Sequence, residues 1–145
     1  MTADNLSPIA GLFDAAEAER LRPNHIAPDE WAARLALAAC YRVFYARGWS
    51  EEIFNHITLR APGAEPAYLI NPFGLHYGEV TARNLVKVDL DGRALHDTPY
   101  GVNKAGFVIH SAIHAARPDA PATGHPPLTA GAPRMVGDDE ERMLL

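Results

Sequence analysis

The chain has 145 residues, of which 48% are apolar and 21% carry charge, and its formal net charge at pH 7 is −5. These values are typical of one globular domain. The acidic balance argues against a nucleic-acid partner, because a phosphate backbone is bound by clustered lysine and arginine side chains. No stretch approaches the roughly 18 to 20 consecutive apolar residues that a membrane-spanning helix requires, so no membrane span is expected.

The first 27 residues are predicted to form a leader to the domain. Residues 9–21 are compatible with a short helix, and the sequence Arg22-Pro23-Asn24 should end it. The amino terminus lacks the basic start and apolar centre of a secretory signal, which predicts a cytoplasmic location. The single cysteine, Cys40, has no partner for an internal disulfide and is expected to be a small buried hydrophobic residue.

Two helices are predicted in the domain proper, residues 28–120. The first covers residues 28–47, because proline and acidic residues suit a first helical turn and Gly48 permits a left-handed stop. The second follows the N-cap Asn103 and continues to residue 116, where the sequence Arg117-Pro118 ends it.

Short strands are predicted where apolar and polar residues alternate. The three candidates are Ile57–Arg60, Tyr68–Ile70 and Leu85–Leu90. The sequence Asn71-Pro72-Phe73-Gly74 predicts a turn, since proline presets one backbone angle and glycine permits the next. Residues 81–84 are expected to form a brief helical turn, and Asp91-Gly92 predicts an antiparallel hairpin.

Residues 121–145 are predicted to be a divergent tail rich in proline and glycine. Pro121, Pro126 and Pro127 favour irregular structure, because proline lacks the backbone donor that a central strand contributes. The second helix is therefore expected to lead toward a strand that does not form.

Three sequence blocks, Phe54–Arg60, Leu69–Tyr77 and Gly101–Ala120, closely resemble the first half of the class II aldolase/adducin family, and the adducin-like branch in particular. They occur in family order with family-like spacing. The resemblance implies an α/β fold: a partial class II aldolase-like α/β/α sandwich with a mainly antiparallel central sheet, truncated at its C-terminal side. Aldolases of this family use a divalent metal, usually zinc and held by three histidines, to stabilise an enediolate.

The resemblance also places the family's site positions on residues of different chemistry. His56 stands where the aldolases have a phosphate-contacting asparagine, as in the adducin branch, and Gly74 keeps only the glycine of their Thr-Gly pair. The Ser-Ser-Glu block falls on Lys104-Ala105-Gly106. Because Gly106 replaces the catalytic glutamate and has no ionisable group, no catalytic residue is expected. His56, Gly74 and Lys104 are the candidate substrate-binding residues.

The family's His-x-His metal motif falls on His125-Pro126-Pro127, so that His125 matches the first ligand and a proline replaces the second. One imidazole does not hold zinc, since zinc sites use three or four protein ligands in fixed directions. His125 is therefore interpreted as a vestigial ligand. No cofactor is expected, and zinc or another divalent metal is expected only if another chain completes the site.

A second histidine pair, His110 and His114, lies one turn apart on one face of the second predicted helix. Zinc-dependent peptidases use this spacing, but Ser111 stands where their motif needs a glutamate. The preferred interpretation is that this helix packs against the sheet and that its histidines have no metal-binding role.

Three functional hypotheses follow. The chain is a catalytically inactive family domain, altered or truncated where family sequence gives way near residue 121; or an adducin-like cytoskeletal module that binds actin; or a metal-dependent aldolase or epimerase of phosphorylated sugars. Class II aldolases are typically tetramers with sites at subunit boundaries, so the resemblance also implies a homo-oligomer. A second subunit would cover the sheet edge that missing strands leave open.

Overall fold

The computed structural model describes residues 14–51 and 53–124. In order, they form α1 (Ala15–Leu21), α2 (Pro28–Ala46), β1 (Ile57–Arg60), β2 (Ala67–Ile70), a 3-10 turn (Tyr77–Glu79), β3 (Val86–Asp89), α3 (Lys104–Ala116) and β4 (Ala122–Gly124). The strands form one sheet in the order β3-β2-β1-β4, and every neighbouring pair is antiparallel. The mainly antiparallel sheet and both helices predicted for the domain are confirmed.

Strand β4 shows that the expectation of irregular structure is wrong for residues 122–124. Ala122, Thr123 and Gly124 pair with the three residues Leu59, Thr58 and Ile57 of β1. The prolines do not interrupt this short ladder, because Pro121 precedes it and the next prolines follow it in the sequence. Pro121 uses its carbonyl instead, which accepts the Arg60 N–H at 2.7 Å. Residues 125–145, His125 among them, lie outside the described part of the chain.

Side chains alternate along the strands, so that the sheet packs against one helical layer on each face. Ile57 of β1 and Leu69 of β2 pack with α2 in one apolar cluster. Tyr68 and Ile70 of β2 point to the opposite face, where they form a second cluster with β3 and with Phe107 of α3. All four residues of β2 are buried because both faces are covered. The helices and sheet therefore form α/β/α layers, as the resemblance implied.

Helix α2 is attached to the sheet by polar contacts as well as by its apolar face. The Tyr41 hydroxyl accepts the Ile57 N–H at 2.8 Å and lies 2.9 Å from Asn71 Oδ1, which fixes the start of β1. Glu30 accepts hydrogen bonds from Arg34 and Lys87, each at 2.8 Å, and so links α2 to β3. At 19 residues α2 is the longest described helix, and no helix in that part of the chain is long and apolar enough to cross a membrane.

The described end of the leader, α1, lies against the domain. Its N-cap Asp14 accepts hydrogen bonds from two first-turn N–H groups. The indole of Trp31 donates to the Ala18 carbonyl at 2.7 Å, and Arg83 donates to the Leu21 carbonyl at 2.8 Å. The predicted helix is thus found over residues 15–21, and residues 1–13 lie outside the described part.

Candidate functional site

The start of β1 meets the first turn of α3, and this brings His56 against Gly106. A Cβ atom placed on Gly106 would lie 2.3 Å from His56 Nε2 and 2.5 Å from its Cδ2 and Cε1 atoms. Gly106 lies within α3 and its φ is not positive, so the glycine provides space and is not required by the backbone conformation. Two positions at which the chain departs from the aldolase pattern are therefore in direct contact.

The other two candidate substrate-binding residues lie around the N-terminus of α3. Lys104 is the first helical residue and is exposed. Gly74 lies in the turn after β2 with φ of 93°, and its neighbour Phe73 donates its N–H to the Gly101 carbonyl at 2.9 Å. The turn predicted at this position is confirmed. Substrate binding by His56, Gly74 and Lys104 stays a prediction.

The N-cap of α3 occupies part of the hydrogen-bonding capacity of this helix end. Asn103 Oδ1 accepts the N–H of Ala105 at 3.0 Å and that of Gly106 at 3.4 Å. These are donors that a helix N-terminus can otherwise direct at an anion. Two of the first-turn donors are therefore already bonded to a residue of the chain itself.

Sequence reasoning missed a buried group of polar side chains between α3 and β1, which we call the imidazole cluster: His56, Thr58, His110 and His114. All four are buried. The Thr58 hydroxyl lies 2.8 Å from His110 Nδ1 and 2.9 Å from His114 Nε2. The His110 ring packs on the His56 ring with centroids 4.6 Å apart, and His114 stacks on Tyr68 at 5.1 Å. The face of α3 that crosses β1 is thus held by hydrogen bonds and ring contacts.

The protonation state of His114 follows from its contact with Arg60, which can only donate. Arg60 donates to the His114 carbonyl at 2.7 Å and lies 3.4 Å from His114 Nδ1. A guanidinium has no acceptor, so that ring nitrogen carries a lone pair and the His114 proton is on Nε2, which donates to Thr58. The Thr58 hydroxyl has one proton to donate and lies 2.8 Å from His110 Nδ1 and 3.4 Å from the Thr123 carbonyl. Burial, with the charge of Arg60 acting in the same direction, lowers the pKa of His114 to about 4.

His125, where the resemblance places the first zinc ligand of the aldolases, lies outside the described residues. Within them, no group of three or more His, Cys, Asp or Glu side chains is arranged to hold a metal ion. His110 and His114 each direct one ring nitrogen at the Thr58 hydroxyl, which agrees with their preferred interpretation as packing residues. The role of His125 as a vestigial ligand stays a prediction.

The chain thus forms an antiparallel sheet between two helical layers, with the first turn of α3 against the start of β1. The structure resembles the crystal structure of an aldolase II superfamily protein from Pseudomonas syringae, with a TM-score of 0.70 and 47% sequence identity, over 72% of this chain and 42% of that chain. A sequence model described as the class II aldolase and adducin N-terminal domain matches residues 35–130. The chain belongs to this class II aldolase/adducin family.

Both branches of the family are represented among its relatives. Rat alpha-adducin is 52% identical over 101 residues, which is 68% of this chain and 14% of that protein. The solved structure of L-fuculose 1-phosphate aldolase from Glaciozyma antarctica is 34% identical, with a TM-score of 0.62, over 75% of this chain and 46% of that one. The chain spans 37% and 40% of the length of two bacterial relatives, from Caulobacter vibrioides and Pseudomonas aeruginosa.

Proposed function

We propose that this domain is a non-catalytic member of its family and does not cleave sugar phosphates. The supporting observation is the contact between His56 and Gly106, at the position where the resemblance puts the aldolase glutamate. A glycine cannot exchange a proton with a substrate, and no neighbouring charge can give it a pKa. The first turn of α3 supplies packing there in place of an acid/base group.

The alternative is a metal-dependent aldolase or epimerase, and its support is the likeness to L-fuculose 1-phosphate aldolase. The test is cleavage of L-fuculose 1-phosphate by the purified chain with and without added Zn²⁺, beside the Glaciozyma antarctica enzyme as a positive control. We expect no product above buffer in either condition. Zinc-dependent turnover that disappears in a His56→Ala variant would establish the enzyme and refute the proposal.

Binding of actin is the second candidate function, and the observation that favours it is the 52% identity with alpha-adducin. The resemblance implies a cytoskeletal and therefore cytoplasmic role for that branch. Co-sedimentation of the purified chain with actin filaments measures the interaction directly. On this hypothesis a fraction of the chain pellets in proportion to the filament concentration, and a chain that stays in the supernatant at every concentration rules it out.

We also propose that the chain forms a homo-oligomer. Strand β4 is an edge of the described sheet, and the helix beside it, α3, has apolar side chains exposed on its outer face. A second copy that covers this region would protect an open edge and remove apolar surface from water.

A further inference from the structure

We infer that His56 and Gly106 are a matched pair, in which the imidazole fills the space of the absent acid/base side chain, so that position 106 cannot carry a side chain while position 56 is histidine. This inference rests on the proposed non-catalytic function, because it gives the steric reason why a carboxylate is missing. The two positions are 50 residues apart in the sequence. Their contact is visible only in the folded chain.

Position 106 has no room for a side chain. Three atoms of the His56 ring lie within 2.5 Å of the place where any side chain at position 106 would begin. Ordinary contacts of a Cβ atom are at least about 3.4 Å, the lower end of van der Waals separation. Even alanine, the smallest replacement, therefore requires movement of the ring or of α3.

The His56 ring cannot easily move. His56 is 4% exposed, its Nδ1 lies 3.2 Å from the Phe54 carbonyl, and its ring packs on His110. His110 is in turn held by Thr58. A displacement of the His56 ring would thus disturb the imidazole cluster, in which each side chain is buried.

Return of the aldolase glutamate at position 106 is disfavoured as well. A glutamate at position 106 would place a carboxylate within a buried contact that is already occupied by an imidazole. Close-packed interiors resist added volume, and burial of an unpaired charge adds a further cost. Recovery of the acid/base group therefore requires a smaller residue at position 56, such as the asparagine of the aldolase pattern.

A double-mutant cycle tests the pair through the equilibrium constant of unfolding, measured with urea. In the wild-type background Gly106→Ala should raise this constant at least about fivefold, because overpacking destabilises the native state. In the His56→Asn background the same change should lower it, by up to about fivefold, because alanine favours a helix more than glycine does. Gly101→Ala is the matched control, since nothing lies within 4 Å of a Cβ at that glycine.

The outcomes separate this inference from the proposed function. An equal effect of Gly106→Ala in both backgrounds overturns the pairing but does not bear on the proposed lack of activity. Sugar-phosphate cleavage by the wild type overturns the proposed function but does not change the result of the double-mutant cycle. If Gly106→Ala alone does not fold, recovery of a cooperative unfolding transition by added His56→Asn supports the pair, and failure to recover contradicts it. An aligned family member with histidine at position 56 and any residue larger than glycine at position 106 would also contradict it.

Discussion

The hydroxyl of Thr58 is a single group on which two buried histidines depend. It accepts from His114 Nε2 and lies 2.8 Å from His110 Nδ1, so it is a hydrogen-bonding partner of both rings. We expect Thr58→Val, which keeps the shape and removes the hydroxyl, to lower the free energy of unfolding by about 2 kcal/mol, since buried polar groups would lose their partner. Urea unfolding measures the change. Thr81→Val, at an exposed threonine whose hydroxyl accepts the Asn84 N–H at 3.3 Å, is the control and should change stability less, because water can replace that bond.

Protonation of His114 should weaken the fold in acid. The pKa of His114 is about 4 in the folded chain against an ordinary value of 6.5, so between these pH values the unfolded chain binds more protons than the folded one. Its contribution is complete above pH 6.5 and is lost as the pH falls toward 4. The loss is up to about 3 kcal/mol. Unfolding free energies measured across this range should decline in the wild type.

A His114→Gln variant isolates that contribution, because glutamine keeps a hydrogen-bonding side chain and does not titrate. Its stability should vary less than that of the wild type between pH 6.5 and 4. Glu30 titrates in a different window: burial acts to raise its pKa, but hydrogen bonds from Lys87 and Arg34 and the charges of these residues lower it below 4.5. The stability from Glu30 is therefore lost at lower pH. Parallel curves for the two proteins between pH 6.5 and 4 would contradict the assignment to His114.

The sequence predicted the positions of the site residues through family resemblance, but it could not predict their contacts. Thr58 meets two histidines that lie 52 and 56 residues further along the chain, and such pairings depend on the register of the sheet against α3. The i, i+4 spacing of His110 and His114 did indicate a shared helical face. Nothing in the sequence indicated that the Thr58 hydroxyl lies opposite that face.

Among the elements, those with local end signals were predicted best. Helix α3 begins after the N-cap Asn103, and α2 ends before Gly48, whose φ is 67°. Strand β4 was missed because its three residues gain their conformation from pairing with β1, a long-range interaction that outweighs the irregular preference of a proline-rich segment. The 3-10 turn at Tyr77–Glu79 was missed as well. The Asp91-Gly92 turn is present, but the chain returns along β3 with a single bridge from Val88 to Ala94.

Helix α1 is short, and its contacts with the domain can be tested by one substitution. A seven-residue helix is not stable in isolation, so its position depends on hydrogen bonds such as that from the Trp31 indole to the Ala18 carbonyl. Trp31→Phe removes this donor and keeps an aromatic ring. We expect a loss of about 1 kcal/mol in unfolding free energy, together with faster tryptic cleavage after Arg20.

The control for α1 is Trp49→Phe, because Trp49 is partly exposed and packs on Phe44 at the far end of α2. This variant should keep the wild-type rate of cleavage near residue 20. Equal acceleration in both variants would show that global unfolding, and not release of α1, controls the cleavage.

At the scale of the whole molecule, the outer face of α3 exposes a group of apolar side chains. Val108 and Ile109 are 53% and 52% exposed, and Ala105 and Ala112 lie on the same side of the helix at helical spacing. This face lies beside β4, an edge of the described sheet. If a second copy covers it, a lysine there places a charge in the contact and should dissociate the oligomer.

The experiment is size-exclusion chromatography with light scattering on the wild type, Ile109→Lys and Val43→Lys. Val43 is 54% exposed but lies on α2, in the opposite layer, so it controls for added charge at an equally exposed apolar position. We expect the wild type and Val43→Lys to have the mass of an oligomer and Ile109→Lys that of one chain. A monomeric wild type would refute self-association, and an oligomeric Ile109→Lys would place the contact elsewhere.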